Sequence, residues 1–183
     1  MPNSKTIDIN TTMTKILAIP GSLRPNSSSN HILSAILSVA PEDVVCEIYQ
    51  GIGALPHFND PEETPALVVE FKQKVRESDA VLICTPEYAF GIPGSLKNAI
   101  DWTVGTGEFV VKPVGLVTAA THAEKGHAAM LLVLTAISAN VIDESKLLIP
   151  FVKAKLDSNG NVKDSSLLEQ LATVIKALAK ASA

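Results

Sequence analysis

The chain has 183 residues, 46% hydrophobic and 19% charged, with a formal net charge of −4. That length and apolar share suit one domain with a full core, and the weakly negative balance argues against nucleic acid, which wants a basic face. No apolar run approaches the roughly 20 residues that span a bilayer.

Residues 1–13 are polar and lack the apolar segment of a secretory leader, so they are expected to form a flexible tail. A single domain is expected over 14–183, in a cytoplasmic protein. Aromatic residues make up only 4%, and Val, Ile, Leu and Ala dominate. This balance suits buried parallel strands covered by helices.

In chain order, residues 15–19 read as a first strand ending at Pro20-Gly21. Residues 27–40 carry Ile32, Leu33, Ile36 and Leu37 on one helical stripe, closed by Pro41. Residues 44–49 form a second strand, and 50–64 an irregular connection of the length that often carries function. Leu67, Val68, Phe71 and Val75 mark the next helix. The continuous apolar run at 80–84 reads as a strand buried on both faces. A turn over 86–93 leads into a helix over 94–104, and 114–119 is a fourth strand. A polar stretch at 121–127 precedes a helix with Met130, Leu131, Leu134 and Ile137. Either Val141-Ile142 or Leu147-Leu148-Ile149 supplies a fifth strand, with a turn at 157–160. Leu167, Leu168, Leu171, Val174, Ile175 and Leu178 define the last helix.

Strands alternating with helices, without an internal repeat, predict an α/β protein with a doubly wound parallel sheet. The expected strand order is 2-1-3-4-5. Cys46 and Cys84 then flank the first strand, about 9–10 Å apart from strand spacing alone and beyond disulfide reach.

Ligands of such sheets sit past the carboxyl ends of the strands, where the strand order reverses. The two most unusual loops leave strands 1 and 3, at that point. The first, residues 21–30, combines Ser22, Ser27, Ser28 and Ser29 with Arg24 and Asn30 at a helix start. Helix N–H groups, hydroxyls and an Arg fork together satisfy a phosphate, whereas capping alone needs one such residue. The loop lacks both G-x-x-x-x-G-K-[ST] and G-x-G-x-x-G, which favours a mononucleotide over a nucleoside triphosphate or a dinucleotide. The second loop, residues 85–102, offers Pro86 and Tyr88 as walls for a flat ring and the peptide groups from Glu87 through Ala89 to Phe90 for its polar edge. By itself it fits core or interface packing equally well.

Together the loops resemble the NADPH-dependent FMN reductase family, whose members read roughly G-S-x-R after strand 1 and P-E-Y-N-x-x-x-P-G-x-L-K-N-A-[IL]-D-W after strand 3. The resemblance runs from about Lys15 to the final helix and includes Leu55-Pro56 and Phe58-Asn59-Asp60. It implies a flavodoxin-like three-layer sandwich that binds FMN. Ser22, Arg24, Ser28, Ser29 and Asn30 would hold its phosphate, and Pro86, Glu87, Tyr88, Ala89 and Phe90 would line the isoalloxazine. The region from Lys97 to Trp102 would build the following helix and a subunit contact in a homodimer or homotetramer. The implied activity is hydride transfer from NAD(P)H through FMN to a quinone, flavin, metal-ion or azo acceptor. Three departures stand out: a serine loop one residue longer than R-x-x-S-x-N, Ala89 in place of Asn, and Ala119–Gly126 in place of a glycine-rich segment.

The flavin performs such chemistry while the protein orients and tunes it, so no catalytic side chain is nominated. His122 reads as an exposed loop residue, and His31 and His127 as helix-surface residues near the site. Four scattered histidines without i,i+4 spacing argue against a metal site. The alternatives are a non-enzymatic flavodoxin-type electron carrier and a flavin-binding redox sensor.

Overall fold

The computed structural model describes residues 13–182. The tail expected over residues 1–13 therefore lies outside the described residues, apart from Met13.

Five parallel strands, β1 (Thr14–Pro20), β2 (Val44–Ile48), β3 (Ala80–Thr85), β4 (Pro113–Ala119) and β5 (Asn140–Ile149), form one sheet in the order β2-β1-β3-β4-β5. They alternate with α1 (Ser28–Ser38), α2 (Ala66–Glu77), α3 (Gly94–Val104), α4 (Glu124–Ala136) and α5 (Ser165–Ser182). The expected order and three-layer architecture are observed.

Side chains alternate across a strand, and the two faces of this sheet support two cores. Leu17, Ile19, Val81, Ile83, Val114 and Leu116 meet Val68, Phe71 and Val75 of α2, Leu96 and Ile100 of α3, and Met130 and Leu134 of α4. Ile16, Ala18, Leu82, Cys84 and Val117 meet Ile32, Leu33 and Ile36 of α1, with Leu171, Val174, Ile175 and Leu178 of α5. Every residue of β3 is buried, which explains its unbroken apolar run. Helices α1 and α5 thus share one face, and the segments that lead into them meet at the carboxyl end of the sheet.

Two details differ from the sequence reading. Both candidate runs belong to the single strand β5: Val114 pairs with Val141 and Leu116 with Lys146, and the ladder shifts between them. The polar residues Asp143 and Glu144 fall in this irregularity, which interrupts the apolar pattern without ending the strand. The cysteines are also further apart than strand spacing alone suggests. Cys46 pairs with Ile16 and Cys84 with Pro20; that offset along β1 adds roughly 13 Å at a strand's rise per residue. Both thiols are free. Burial pushes the Cys84 thiol up to about 12, and it donates to Ser29 O at 3.1 Å, so it acts as a core residue.

Candidate functional site

The carboxyl ends of β1 and β3 approach closely. Gly21 N–H donates to Cys84 O at 2.8 Å, and a Cβ on Gly21 would lie 2.6 Å from Thr85 Cβ and 2.9 Å from Thr85 Cα. Only a residue without a side chain fits here, at the base of the crevice where the strand order reverses.

From this point the serine loop climbs to α1. Ser27 caps the helix, its Oγ accepting from Asn30 N–H at 3.2 Å and lying 3.2 Å from Ser29 Oγ. Ser22 is buried; its Oγ accepts from Arg24 N–H at 3.2 Å and stands 3.5 Å from the Tyr88 hydroxyl. Asn30 Nδ2 donates to Arg24 O at 2.9 Å and reaches Pro25 O at 3.4 Å, while its Oδ1 is buried without a protein partner. Ser27 and Asn30 therefore shape the loop. Ser28 makes no side-chain hydrogen bond among the described residues, and neither its N–H nor that of Ser29 is taken up by backbone. These are the unpaired donors of a helix start. Arg24 is exposed and makes no ion pair among the described residues.

The β3 loop turns back sharply. Tyr88 N–H donates to Gly91 O at 3.0 Å and Gly91 N–H to Tyr88 O at 2.9 Å, and the two residues between, Ala89 and Phe90, have φ of 49° and 59°. A two-residue hairpin with both φ positive is a type I′ turn, which favours Asn-Gly. The family's Asn at this position is thus explained by backbone conformation, since Asn adopts the left-handed region at lower cost than Ala. Ala89→Asn is expected to stabilise the protein by up to about 1 kcal/mol, raising the thermal midpoint by about 2–4 °C. A scanning calorimetry trace with no gain would contradict this account of the turn.

Helix α3 fastens the irregular connection beside this turn. Trp102 Nε1 and Asn98 Nδ2 both donate to Pro56 O, at 2.8 and 2.9 Å. Asn98 Oδ1 accepts from Phe58 N–H at 2.8 Å, and the Phe58 ring stands edge-on to Trp102. The K-N-A-I-D-W stretch therefore has an internal task, holding residues 56–58 against the helix.

The β4 loop forms the third side. Ala123 has φ 73° and supplies no capping side chain to α4; Gly126 N–H donates instead to Glu87 Oε2 at 2.7 Å. His127, expected on a helix surface, is half-buried, with Nδ1 2.9 Å from Thr118 Oγ1. Burial, and then the positive charge of Lys146, hold its pKa below the usual value. A depressed histidine pKa means that protons prefer the unfolded chain. Its stabilising contribution is therefore full above the unfolded pKa of about 6.5 and is lost as pH falls through the lower folded value. Urea midpoints from pH 7 to pH 5 should fall less steeply in His127→Gln than in wild type. His122 is exposed, as expected.

One cleft unites these parts. Arg24, Ser28, Ser29, Pro86, Glu87 and Tyr88 line it, joined by Asn26, Ser27, Ala119, Ala120, Thr121, Val152 and Lys153. Ser22, Asn30, Ala89 and Phe90, also expected at the site, are not among its lining residues: Ser22 and Asn30 bond to the Arg24 backbone, and Ala89 and Phe90 form the turn after Tyr88. Lys153 was not anticipated. It lies just beyond β5, whose end was ambiguous in sequence; the rule that ligands sit past strand ends would have reached it once that end was placed.

A family model for NADPH-dependent FMN reductase matches residues 14–154. The chain belongs to this family. It is 30% identical to the NADH-dependent flavin reductase subunit 2 of Lactobacillus johnsonii, covering 86% of this chain and 91% of that one. It is 29% identical to a 2-hydroxy-1,4-benzoquinone reductase from a Burkholderia species, covering 87% of this chain and 91% of that one. The flavoenzyme NAD(P)H:(acceptor) oxidoreductase FerB of Paracoccus denitrificans superposes with a TM-score of 0.82 at 25% identity, over 93% of this chain and 97% of that one. The matched family segment contains every cleft residue named above, Lys153 included.

The donor set suits the family's cofactor. FMN presents a phosphate dianion and a planar tricycle. The cleft presents helix-start N–H groups, the Ser28 hydroxyl and Arg24 at one side, with Pro86 and Tyr88 at the other.

Proposed function

We propose that this cleft binds FMN and that the protein is an NAD(P)H-dependent oxidoreductase, passing hydride from the nicotinamide to FMN and reducing equivalents from FMN on to a quinone, flavin, metal-ion or azo acceptor. The single observation that carries this reading is the convergence of Arg24, the α1 start and the Pro86–Tyr88 wall in one cleft at the switch point.

Arg24, Ser28 and the N–H groups of Ser28 and Ser29 hold the phosphate. Ser22 and Asn30 act through the loop: Ser22 fixes the Arg24 amide, and Asn30 holds the Arg24 carbonyl. Pro86 and the Tyr88 ring wall the isoalloxazine, and the peptide groups from Glu87 through Ala89 to Phe90 meet its edge. Lys153 adds a second cation to the cleft, which draws anionic nucleotides toward it. When bound, FMN supplies the two-electron acceptor and donor; the protein contributes orientation and electrostatics. No side chain is required as nucleophile or base.

Exposed Phe90 and Phe151, at 72% and 63%, support a homodimer or homotetramer in which another copy covers the apolar surface near the cleft. Two free cysteines fit a reducing, cytoplasmic setting.

The test is steady-state oxidation of NADPH or NADH by FMN-loaded protein, with benzoquinone as acceptor. Turnover that depends on both nucleotide and quinone is expected. Bound FMN with no turnover would replace this reading with the electron carrier.

A further inference from the structure

We infer that Glu87 is a positioning residue: it straps the β3 turn to the start of α4 and so sets the width of the slot that receives the flavin ring. The inference rests on the FMN reading of the cleft and adds a role for a side chain that the resemblance placed only as ring lining.

Helix α4 begins without a cap of its own. Ala123 at its N-cap has no side-chain acceptor, the least favourable choice at such a position. The missing acceptor comes from another loop, for Glu87 Oε2 accepts from Gly126 N–H at 2.7 Å. A carboxylate there also complements the positive end of the helix. The contact is steric as well as polar: a Cβ on Gly126 would lie 3.0 Å from Glu87 Cβ, from Glu87 Cγ and from Gly91 O. Gly126 thus lets α4 sit directly against the hairpin of Tyr88 and Gly91.

The position of this strap ties it to the cleft. Glu87 is flanked in sequence by the two proposed walls, Pro86 and Tyr88, and Ala119–Thr121 of the β4 loop line the same cleft. One hydrogen bond therefore ties the proposed ring wall to the helix that follows the β4 loop, and both loops line the cleft. The substitution of the family's glycine-rich segment becomes intelligible, because Gly126 keeps a glycine where close approach demands one. A side chain already committed to a backbone N–H sets the spacing of the walls before any ligand arrives, which is preorganisation.

The experiment compares wild type, Glu87→Ala and Glu87→Gln, with FMN affinity by fluorescence quenching and the midpoint potential of bound flavin as readouts. Loss of a charge-assisted bond in Glu87→Ala should raise the FMN dissociation constant on the order of tenfold and shift the potential. Glu87→Gln, which keeps an acceptor oxygen, should stay within about threefold of wild type. Wild-type affinity and potential in Glu87→Ala would overturn the inference, as would a glutamine variant as impaired as the alanine one. Should Glu87→Ala not fold, hydrogen exchange in the wild-type apoprotein decides the matter. The Gly126 amide is predicted to exchange at least tenfold more slowly than that of Lys125, as a satisfied amide beside an unpaired one at a helix start; equal rates overturn the strap. Wild-type protein that fails to bind FMN would defeat the cleft reading instead, and would leave the exchange result standing by itself.

Discussion

Arg24→Ala is expected to weaken FMN binding on the order of 10- to 100-fold, because a charge-assisted hydrogen bond contributes roughly 1.5–3 kcal/mol. The fold should be unaffected. Arg24 is exposed and has no ion-pair partner among the described residues, so its removal strands no buried charge. What holds the loop in shape is retained in the variant: the Arg24 amide still donates to Ser22 Oγ, and the Arg24 carbonyl still accepts from Asn30 Nδ2. The mutation therefore removes the guanidinium without dismantling the cradle. A fluorescence titration combined with a thermal melt separates the two effects. Unchanged FMN affinity would count against the phosphate assignment, and a collapsed melting point would count against the claim that the side chain has no structural role.

Gly21→Ala should act first on the fold, destabilising the protein by about 3 kcal/mol, the upper end of the usual cost of overpacking. The added methyl would meet Thr85 at Oγ1, Cβ and Cα, with 2.9 Å to the Cα atom. A rotamer change can move the hydroxyl; it cannot move backbone in a central strand whose residues are all buried. Relief requires the ends of β1 and β3 to separate, against the bond from Gly21 N–H to Cys84 O at 2.8 Å. A urea midpoint shifted well down with an unchanged m-value is the expected result. An unshifted midpoint would mean that the crevice floor is softer than its packing indicates. Because that floor underlies the cleft, FMN affinity should fall as well.

Much of the architecture was legible in the residues. Alternation of Ile16 and Ala18 with Leu17 and Ile19 reports a strand buried on both faces, and the unbroken run at 80–84 reports the sheet centre. Both follow from the period of a strand. The two ligand-bearing loops could be found because small hydroxyl residues around Arg24, and paired prolines and glycines after Thr85, depart from what packing alone selects. The remainder depended on backbone conformation and on contacts between distant segments. Nothing in the letters Ala89 and Phe90 announces two consecutive positive φ values. The partnership of Glu87 with Gly126 joins loops 39 positions apart, which local propensity does not register. Lys153 stayed hidden because Asp143 and Glu144 split the pattern of β5, leaving the end of that strand undefined. His127 looked like a surface residue from helical spacing, yet Thr118 draws its ring inward.

The central claim is that a phosphate dianion sits over the start of α1 while a planar tricycle rests against the turn at Pro86. Parallel titrations of the apoprotein with FMN and with riboflavin, which shares the ring but lacks the phosphate, test it most directly. FMN should bind at least on the order of 100-fold more tightly, since several charge-assisted bonds are lost with the phosphate. Equal affinity for the two flavins, or no binding of either, would contradict the account.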